Sequence, residues 1–519
     1  MGKVNLDALI PREDFEIQES TGLVTKKETI SIEDIKADSF FYLTIRKPDF
    51  QRETNEWDSK KICEFIKSFI EGDLIPAIIL WRSPPGYVFV IDGSHRLSSL
   101  SAWVNDDYGD GQTSKEFYDG SIPEEQKNIA RETRKLVEKK IGSYEDFKTA
   151  HKYPNKVSEV VIKYAKNLAV LAIQLQWVEG DASKAESSFF KINQQAAPID
   201  KTELKLLKSR KKPNSIAARA IIRSGKGHKY WSSFSDEIQN QIQQIATEIN
   251  QMLFEPKLQT PIKTMDVPLA GKLYSAQALP LVLDFVNIVN GIDSNDKSLN
   301  DDKTGEDTLK IIKQVRKVTY RLNSNHPSSL GLHPIIYCYS KEGRYRTVSF
   351  LAVVDFVMKL SGSQQINNFI EVRKQFEMLL IENDYLIKQI YEKHRSTQKS
   401  YKPLSNFFQH IIISLKEEQY IIGALKTVAN KDNFKYLNIR EVKSPLNSST
   451  SKNQFNSNQK SEIYIKEALN KTPRCKICNG LLHSSSISID HIKRKADGGL
   501  ATIDNGQLTH PYCNTTFKN

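Results

Sequence analysis

Three cysteines and a histidine fall within the last 45 residues of this 519-residue chain, as Cys475-x2-Cys478 and His510-x2-Cys513. Each pair has the spacing at which one turn brings two side chains onto the same ion, and together they form a tetrahedral Cys3His set suited to structural zinc. A segment this short buries little apolar surface, so closing it on a metal supplies stability that its own core does not. The remaining cysteines, Cys63 and Cys338, stand alone in apolar stretches and read as buried small hydrophobes. An odd cluster that includes a histidine, in a reducing compartment, argues for metal rather than disulfides.

Zinc ligation leaves Asp490, His491, Asn505 and Asn514 unexplained. Ser486 to Asp490 alternates as a strand does and delivers Asp490 and His491 to its end, ahead of Lys493-Arg494-Lys495 and an Asp497-Gly498-Gly499 turn. Phosphodiester hydrolysis needs a base for water and a divalent cation for the charge on phosphate and leaving oxygen. A neutral imidazole suits the first task, and a carboxylate with an amide oxygen suits the second. His483, in a serine-rich loop, is expected at the surface.

In order, CKIC, Asp490-His491-Ile492, Gly498-Gly499, Asn505 and Cys513-Asn514 resemble the HNH endonucleases, also called His-Me finger or ββα-metal nucleases. The resemblance covers Arg474 to Lys518. It implies DNA cleavage with His491 as general base, Asp490 and Asn514 as ligands of a catalytic Mg2+ or Mn2+, and Asn505 as a brace for the intervening loop. Two departures are an asparagine for the last motif histidine and His510/Cys513 where the second zinc pair is two cysteines. Six basic residues and one acidic residue lie between Lys471 and Lys495, enough charge to grip a duplex backbone without specifying its sequence.

Far upstream a second pattern stands out. Phe50-Gln51-Arg52 and Trp57 precede a helical stripe of Ile62, Phe65, Ile66 and Phe69. Strands are expected over Ile75 to Trp81 and Tyr87 to Ile91, and the second ends in Asp92-Gly93-Ser94-His95-Arg96, which leads into a helix with Leu97, Leu100 and Val104 on one face. A glycine turn at a helix N-terminus with a serine and an arginine is a workable phosphate cradle. Ile30 to Ile35 reads as the start of a helix, and residues 1–40 suggest no function.

IDGSHRLSSL resembles the DGQQR signature of the ParB/sulfiredoxin-like domain of modification-dependent restriction proteins of the GmrSD and SspE type. FQR and the block from Phe190 to Asp200 resemble two further blocks of that domain, in the same order. The resemblance implies binding of a nucleotide (an NTP) at Asp92, Gly93, Ser94, His95, Arg96, Arg52 and Asn193. Ser94-His95 stand where the family has two glutamines. They are closer to the GCHR of sulfiredoxins, with serine for the reactive cysteine, so redox chemistry is not expected.

Between these ends the chain reads as helical. Ile238, Ile242, Ile245 and Ile249 form a stripe opened by Ser235, and Phe350 to Leu360, Ile370 to Ile381 and Leu404 to Leu415 repeat the pattern. The basic runs Lys208 to Lys212 and Lys313 to Arg321 read as solvated faces. Ser444 to Gln459 is polar enough to be a linker, expected to let the last module move. The expected architecture is α+β and multidomain: a ParB/sulfiredoxin-like domain over 1–210, a mainly helical domain over 211–442, a linker over 443–460 and a zinc-stabilised HNH domain over 461–519.

A formal charge of +12 favours a polyanionic partner. No apolar run approaches the ~20 residues that span a bilayer, and the N-terminus lacks a secretory pattern, so no membrane partner is expected and the location expected is cytoplasmic. The combined expectation is a metal-dependent DNA endonuclease of an anti-phage or modification-dependent restriction system. Its N-terminal domain would sense nucleotide or modified DNA and control the C-terminal cutter, and a homo-oligomer is left open. The alternatives are a nucleotide-regulated DNA-binding protein with a non-catalytic zinc module, and an HNH nuclease of a mobile element or repair pathway.

Overall fold

A computed structural model describes residues 2–13, 26–48, 51, 54–84, 86–118, 120, 122, 124–196, 209–226, 230–273, 278–293, 299–360, 363–418, 420–439 and 454–518. The chain divides into two compact units, residues 1–210 with 226–230, and residues 211–225 with 231–519.

The first unit is built on a mixed six-stranded sheet. Its strands are β1 (Arg12–Glu13), β2 (Thr29–Ser31), β3 (Ile45–Pro48), β4 (Ile78–Arg82), β5 (Val88–Asp92) and β6 (Ala172–Trp177), in the order β1-β3-β5-β4-β6-β2. β5 lies parallel to β3 and antiparallel to β4, with a register shift between Ile79 and Leu80 opposite the end of β5. Alternate residues of the sheet face a core shared with helix α1 (Ser59–Glu71), whose Ile62, Ile66, Phe69 and Ile70 are buried and whose Asp58 caps the first turn by accepting from the Lys61 amide. The expected helix start at Ile30 is instead strand β2: Ile30 pairs with Ile173 at the sheet edge, and only Glu33–Ile35 coils, as one 3-10 turn. An apolar alternation too short to settle its own period took the one that gave it a ladder partner. Asp7, buried with Arg12 and Lys47, accepts from the Thr54 amide at 3.0 Å, while Arg12 donates to Gln51 O. Asp7 and Arg12 thus anchor Thr54 and Gln51.

The first unit also carries helices α2 (Ser94–Val104) and α3 (Ala182–Ala196). The second unit is helical: α4 (Pro213–Ile222), α5 (Asp236–Phe254), α6 (Ala278–Val289), α7 (Glu306–Leu322), α8 (Pro334–Tyr337), α9 (Thr347–Lys359), α10 (Ser363–Glu382) and α11 (Thr397–Glu417) follow in order. The stripes expected from sequence lie on α5, α9, α10 and α11, and α4 packs on α5. Phe356, Phe369, Phe376 and Phe408 meet edge-on or stacked in its centre, with centroids 5.6–6.1 Å apart. Cys63 and Cys338 are buried, and burial pushes both thiols up.

The C-terminal residues are not a separate body. Helix Ser457–Leu469, capped by a reciprocal Asn456/Gln459 box, begins inside the stretch expected to be linker, and residues 440–453 lie outside the described residues. Ser461 Oγ accepts from the Ile262 amide at 2.9 Å, Ser329 meets Ser486 at 2.9 Å, and the Tyr512 amide donates to Ser329 O at 3.0 Å. Composition alone does not reveal these partners, which lie more than a hundred residues away in sequence.

Candidate active site

The terminal segment forms a two-stranded hairpin, β7 (Ser488–His491) against β8 (Gly506–Thr509), followed by one π turn over Cys513–Phe517. Cys475, Cys478, His510 and Cys513 are all buried, with ligand atoms within 4.8 Å of one another. His510 Nδ1 lies 3.3 Å from Cys478 Sγ and 3.9 Å from Cys513 Sγ, while Nε2 lies 3.1 Å from Leu481 O. A proton on Nε2, donated to that carbonyl, leaves the Nδ1 lone pair for a metal. Burial, then the Arg373 charge, hold His510 below its usual pKa and so neutral. Hydrogen bonds from Cys478 and Cys513 pull Cys475 down, whereas burial raises Cys478 and the bond to Cys475 raises Cys513. Three thiols this close ionise together only around a cation, so the donor set fits zinc.

The zinc ring is keyed into the helical unit by a buried ion pair that no local spacing announces. Arg373 and Glu377, one turn apart on α10, have side chains only 1% and 0% exposed, with Nε to Oε1 at 2.7 Å. Arg373 also donates to Leu330 O at 2.5 Å and Gly331 O at 2.8 Å, and Nη1 comes within 3.2 Å of His510 Nδ1. Glu377 Oε2 accepts from the Leu481 amide at 2.8 Å. Gly331 has φ +59°, and a β-carbon there would stand 2.4 Å from His510 Cδ2. Gly331→Ala is therefore expected to destabilise this unit by about 1–3 kcal/mol and to weaken zinc retention, checked by calorimetry and by zinc release to a colorimetric chelator.

His483 departs from expectation. It is 3% exposed, its Nδ1 is 2.9 Å from Asn323 Nδ2, its Nε2 is 3.2 Å from Asp266 Oδ1, and it meets His333 edge-on at 5.1 Å. Burial lowers its pKa, with Asp266 opposing. It is a bridge between the serine-rich loop and the helical body.

At the end of β7, Asp490 is 6% exposed. Gln507, its partner across the hairpin, donates to Oδ2 at 2.7 Å, and Lys518 Nζ reaches the same oxygen at 2.6 Å and His491 O at 2.5 Å. Both donors act on Oδ2, so neither occupies Oδ1. Asn514 Nδ2 donates to Ser488 Oγ at 2.8 Å and Ile489 O at 3.2 Å, which fixes that side chain against β7. Asn505 closes the loop: its Oδ1 accepts from the Lys493 amide at 2.8 Å and its Nδ2 donates to Leu500 O at 2.8 Å and Lys493 O at 3.1 Å. His491 Nε2 is buried without a hydrogen-bond partner among the described residues. Hairpin register could have pointed to Gln507, but Lys518 carried no signal beyond its charge. A carboxylate oxygen beside an asparagine amide is a donor set that accepts a hard divalent cation.

In the first unit β5 ends at Asp92, Gly93 turns at φ +98°, and α2 begins at the buried Ser94. Arg96 Nη2 donates to Asp92 Oδ2 at 2.8 Å and Ala77 O at 3.1 Å, and its Nε is buried without a partner among the described residues. A β-carbon on Gly93 would stand 3.0 Å from both Arg96 Nη2 and Ile78 Cγ1. His95 Nε2 accepts from the Glu56 amide at 3.3 Å, and the ring stacks on Trp57 at 5.6 Å. Asp92, Gly93, Ser94, His95 and Arg96 therefore sit at one turn. Arg52 lies outside the described residues. Asn193 lies on α3, which packs against β5, and its side chain is outside the described residues.

Residues 31–210 match the family model described as GmrSD restriction endonuclease, N-terminal domain, and residues 475–519 match the HNH endonuclease model. No curated protein and no solved structure matches the chain. Among the described residues no helix is long and apolar enough to cross a membrane.

Proposed function

We propose, from the premise that a GmrSD-type N-terminal domain joined to an HNH domain makes this chain a restriction-type endonuclease acting on DNA, that the cut is made at the end of β7 and licensed by the turn at Asp92–Arg96. The observation that carries the reading is that Asn514, on the π turn, is bonded back to the strand whose end bears Asp490 and His491. His491 takes a proton from the attacking water on its imidazole. Asp490 and Asn514 would hold Mg2+ or Mn2+, which would offset charge on the phosphate and the leaving oxygen. Gln507 and Lys518 keep the Asp490 carboxylate turned for that task. Asn505 keeps the loop after His491 in shape, and the Cys3His zinc holds the hairpin's far end.

The Asp92–Arg96 turn receives a phosphate-bearing ligand, either a nucleoside triphosphate or the backbone of modified DNA. The free amides at the start of α2 and the Arg96 fork are the anion donors, and Arg52 and Asn193 complete the set. Arg96 rests on Asp92, so ligand phosphate competes with that carboxylate for the guanidinium.

The test compares wild type and Arg96→Ala on modified and unmodified duplexes, with and without NTP. Wild-type cleavage that depends on neither modification nor nucleotide would remove the sensing role and leave the nuclease intact. A second expected outcome concerns metal: protein dialysed free of Mg2+ but retaining one zinc per chain binds duplex without cutting, and cutting begins when Mg2+ or Mn2+ is added. Cleavage at full rate in the zinc-only protein would contradict the assignment of Asp490 and Asn514.

A further inference from the structure

Helix Glu306–Leu322 carries Lys310, Lys313, Lys317 and Arg321 at spacings of three and four, hence along one face. The three lysines are exposed and Arg321 is half-buried, and none of the four has a carboxylate partner among the described residues. From sequence alone this run reads as a solvated face. The structure gives it a neighbour. From the last turn of the helix a path of contacts leads to the π turn that follows the nuclease hairpin. Arg316 lies over the Tyr320 ring at 5.9 Å, and Tyr320 stacks on the exposed His326 at 4.7 Å and 3°. Pro327 O then accepts from Thr515 Oγ1 at 3.0 Å, and Thr515 follows Asn514 on the turn whose Lys518 reaches Asp490. Ser329 fixes the junction through Ser486 and the Tyr512 amide.

We propose that this face is a backbone-binding track for the duplex that flanks the scissile phosphate, continuous with the candidate active site. A row of unpaired cations ending beside a phosphodiester-cleaving site fits a polyanionic rod better than any other partner. The 17-residue helix is about 25 Å long, room for roughly seven base pairs at ~3.4 Å each. Such contacts set the position and register of the duplex without reading bases. The inference rests on the nuclease reading only for the location of the cut, and it concerns binding.

The test is the full-length double variant Lys313→Glu/Lys317→Glu, with Lys313→Arg/Lys317→Arg as control. Binding to a ~30-base-pair duplex and to a ~10-base-pair duplex is measured over a range of salt, without divalent metal. The expected result is an affinity loss of at least tenfold on the long duplex and a log K against log salt slope shallower by about 1–2, with the short duplex bound as by wild type and the arginine variant unchanged. An unchanged slope on the long duplex overturns the track, as does an equal loss on both duplexes, which would indicate a general field. Zinc content and metal-started cleavage of the short duplex are read in parallel. If wild type cuts neither duplex, the nuclease reading fails on its own, while the binding result still decides the track.

Discussion

Replacing His491 with alanine is expected to slow DNA cleavage by about 10²–10⁴-fold, the range a positioned general base contributes, while the protein stays folded and keeps its zinc. The structure makes the second half of this expectation specific. The imidazole makes no hydrogen bond through Nε2, and Lys518 binds the backbone oxygen of His491, which alanine retains. Of the zinc ligands, His510 follows the other end of β8, Cys513 opens the π turn, and Cys475 and Cys478 precede the hairpin. The comparison is single-turnover cleavage with saturating Mg2+, alongside zinc stoichiometry and thermal unfolding. Cleavage within a few-fold of wild type would remove His491 from the reaction. Lost cleavage together with lost zinc would make it a structural residue. Asp490→Asn is expected to fail differently, since it loses both the cation ligand and the Lys518 ion pair.

The largest effect on stability is expected at Arg373, far from the motif residues. Arg373→Ala leaves the Glu377 carboxylate, Leu330 O and Gly331 O buried without their donor. Removing one partner of a buried pair typically costs about 3–5 kcal/mol, mostly the burden of the charge left behind. Because Glu377 also accepts from the Leu481 amide beside the zinc ring, zinc release should speed up in the same variant. The double variant Arg373→Met/Glu377→Leu removes both charges and is expected to recover part of the loss. Calorimetry and zinc-release kinetics on the three variants check this. A single variant as stable as wild type would show that the pair does not hold the ring to α10.

The residues that announce themselves in the chain act through short spacing. Cys475/Cys478 and His510/Cys513 are each three apart, Asp490 and His491 are adjacent, and Gly93 lies between a strand and a helix. For these, local backbone geometry nearly decides the contact. The strands over 78–82 and 88–92 and the long helical stripes were legible for the same reason, since period two or 3.6 records which face is buried. Ile30 shows the limit: a short alternation fits either period until a partner strand settles it.

What the sequence by itself determined is the chemistry at each end, a Cys3His zinc set with a carboxylate, an imidazole and an amide beside it, and a glycine turn at a helix start. Only the tertiary structure decided how that chemistry is held. His483 is buried against Asn323 and Asp266, the terminal module is fused to the helical unit, Lys518 rests on Asp490, and the loop after Glu306–Leu322 meets the π turn at Thr515. The physical reason is sequence distance. Arg373 meets His510 across 137 residues, and pairing at that range depends on how the intervening helices pack, which no local pattern of charge or hydrophobicity encodes.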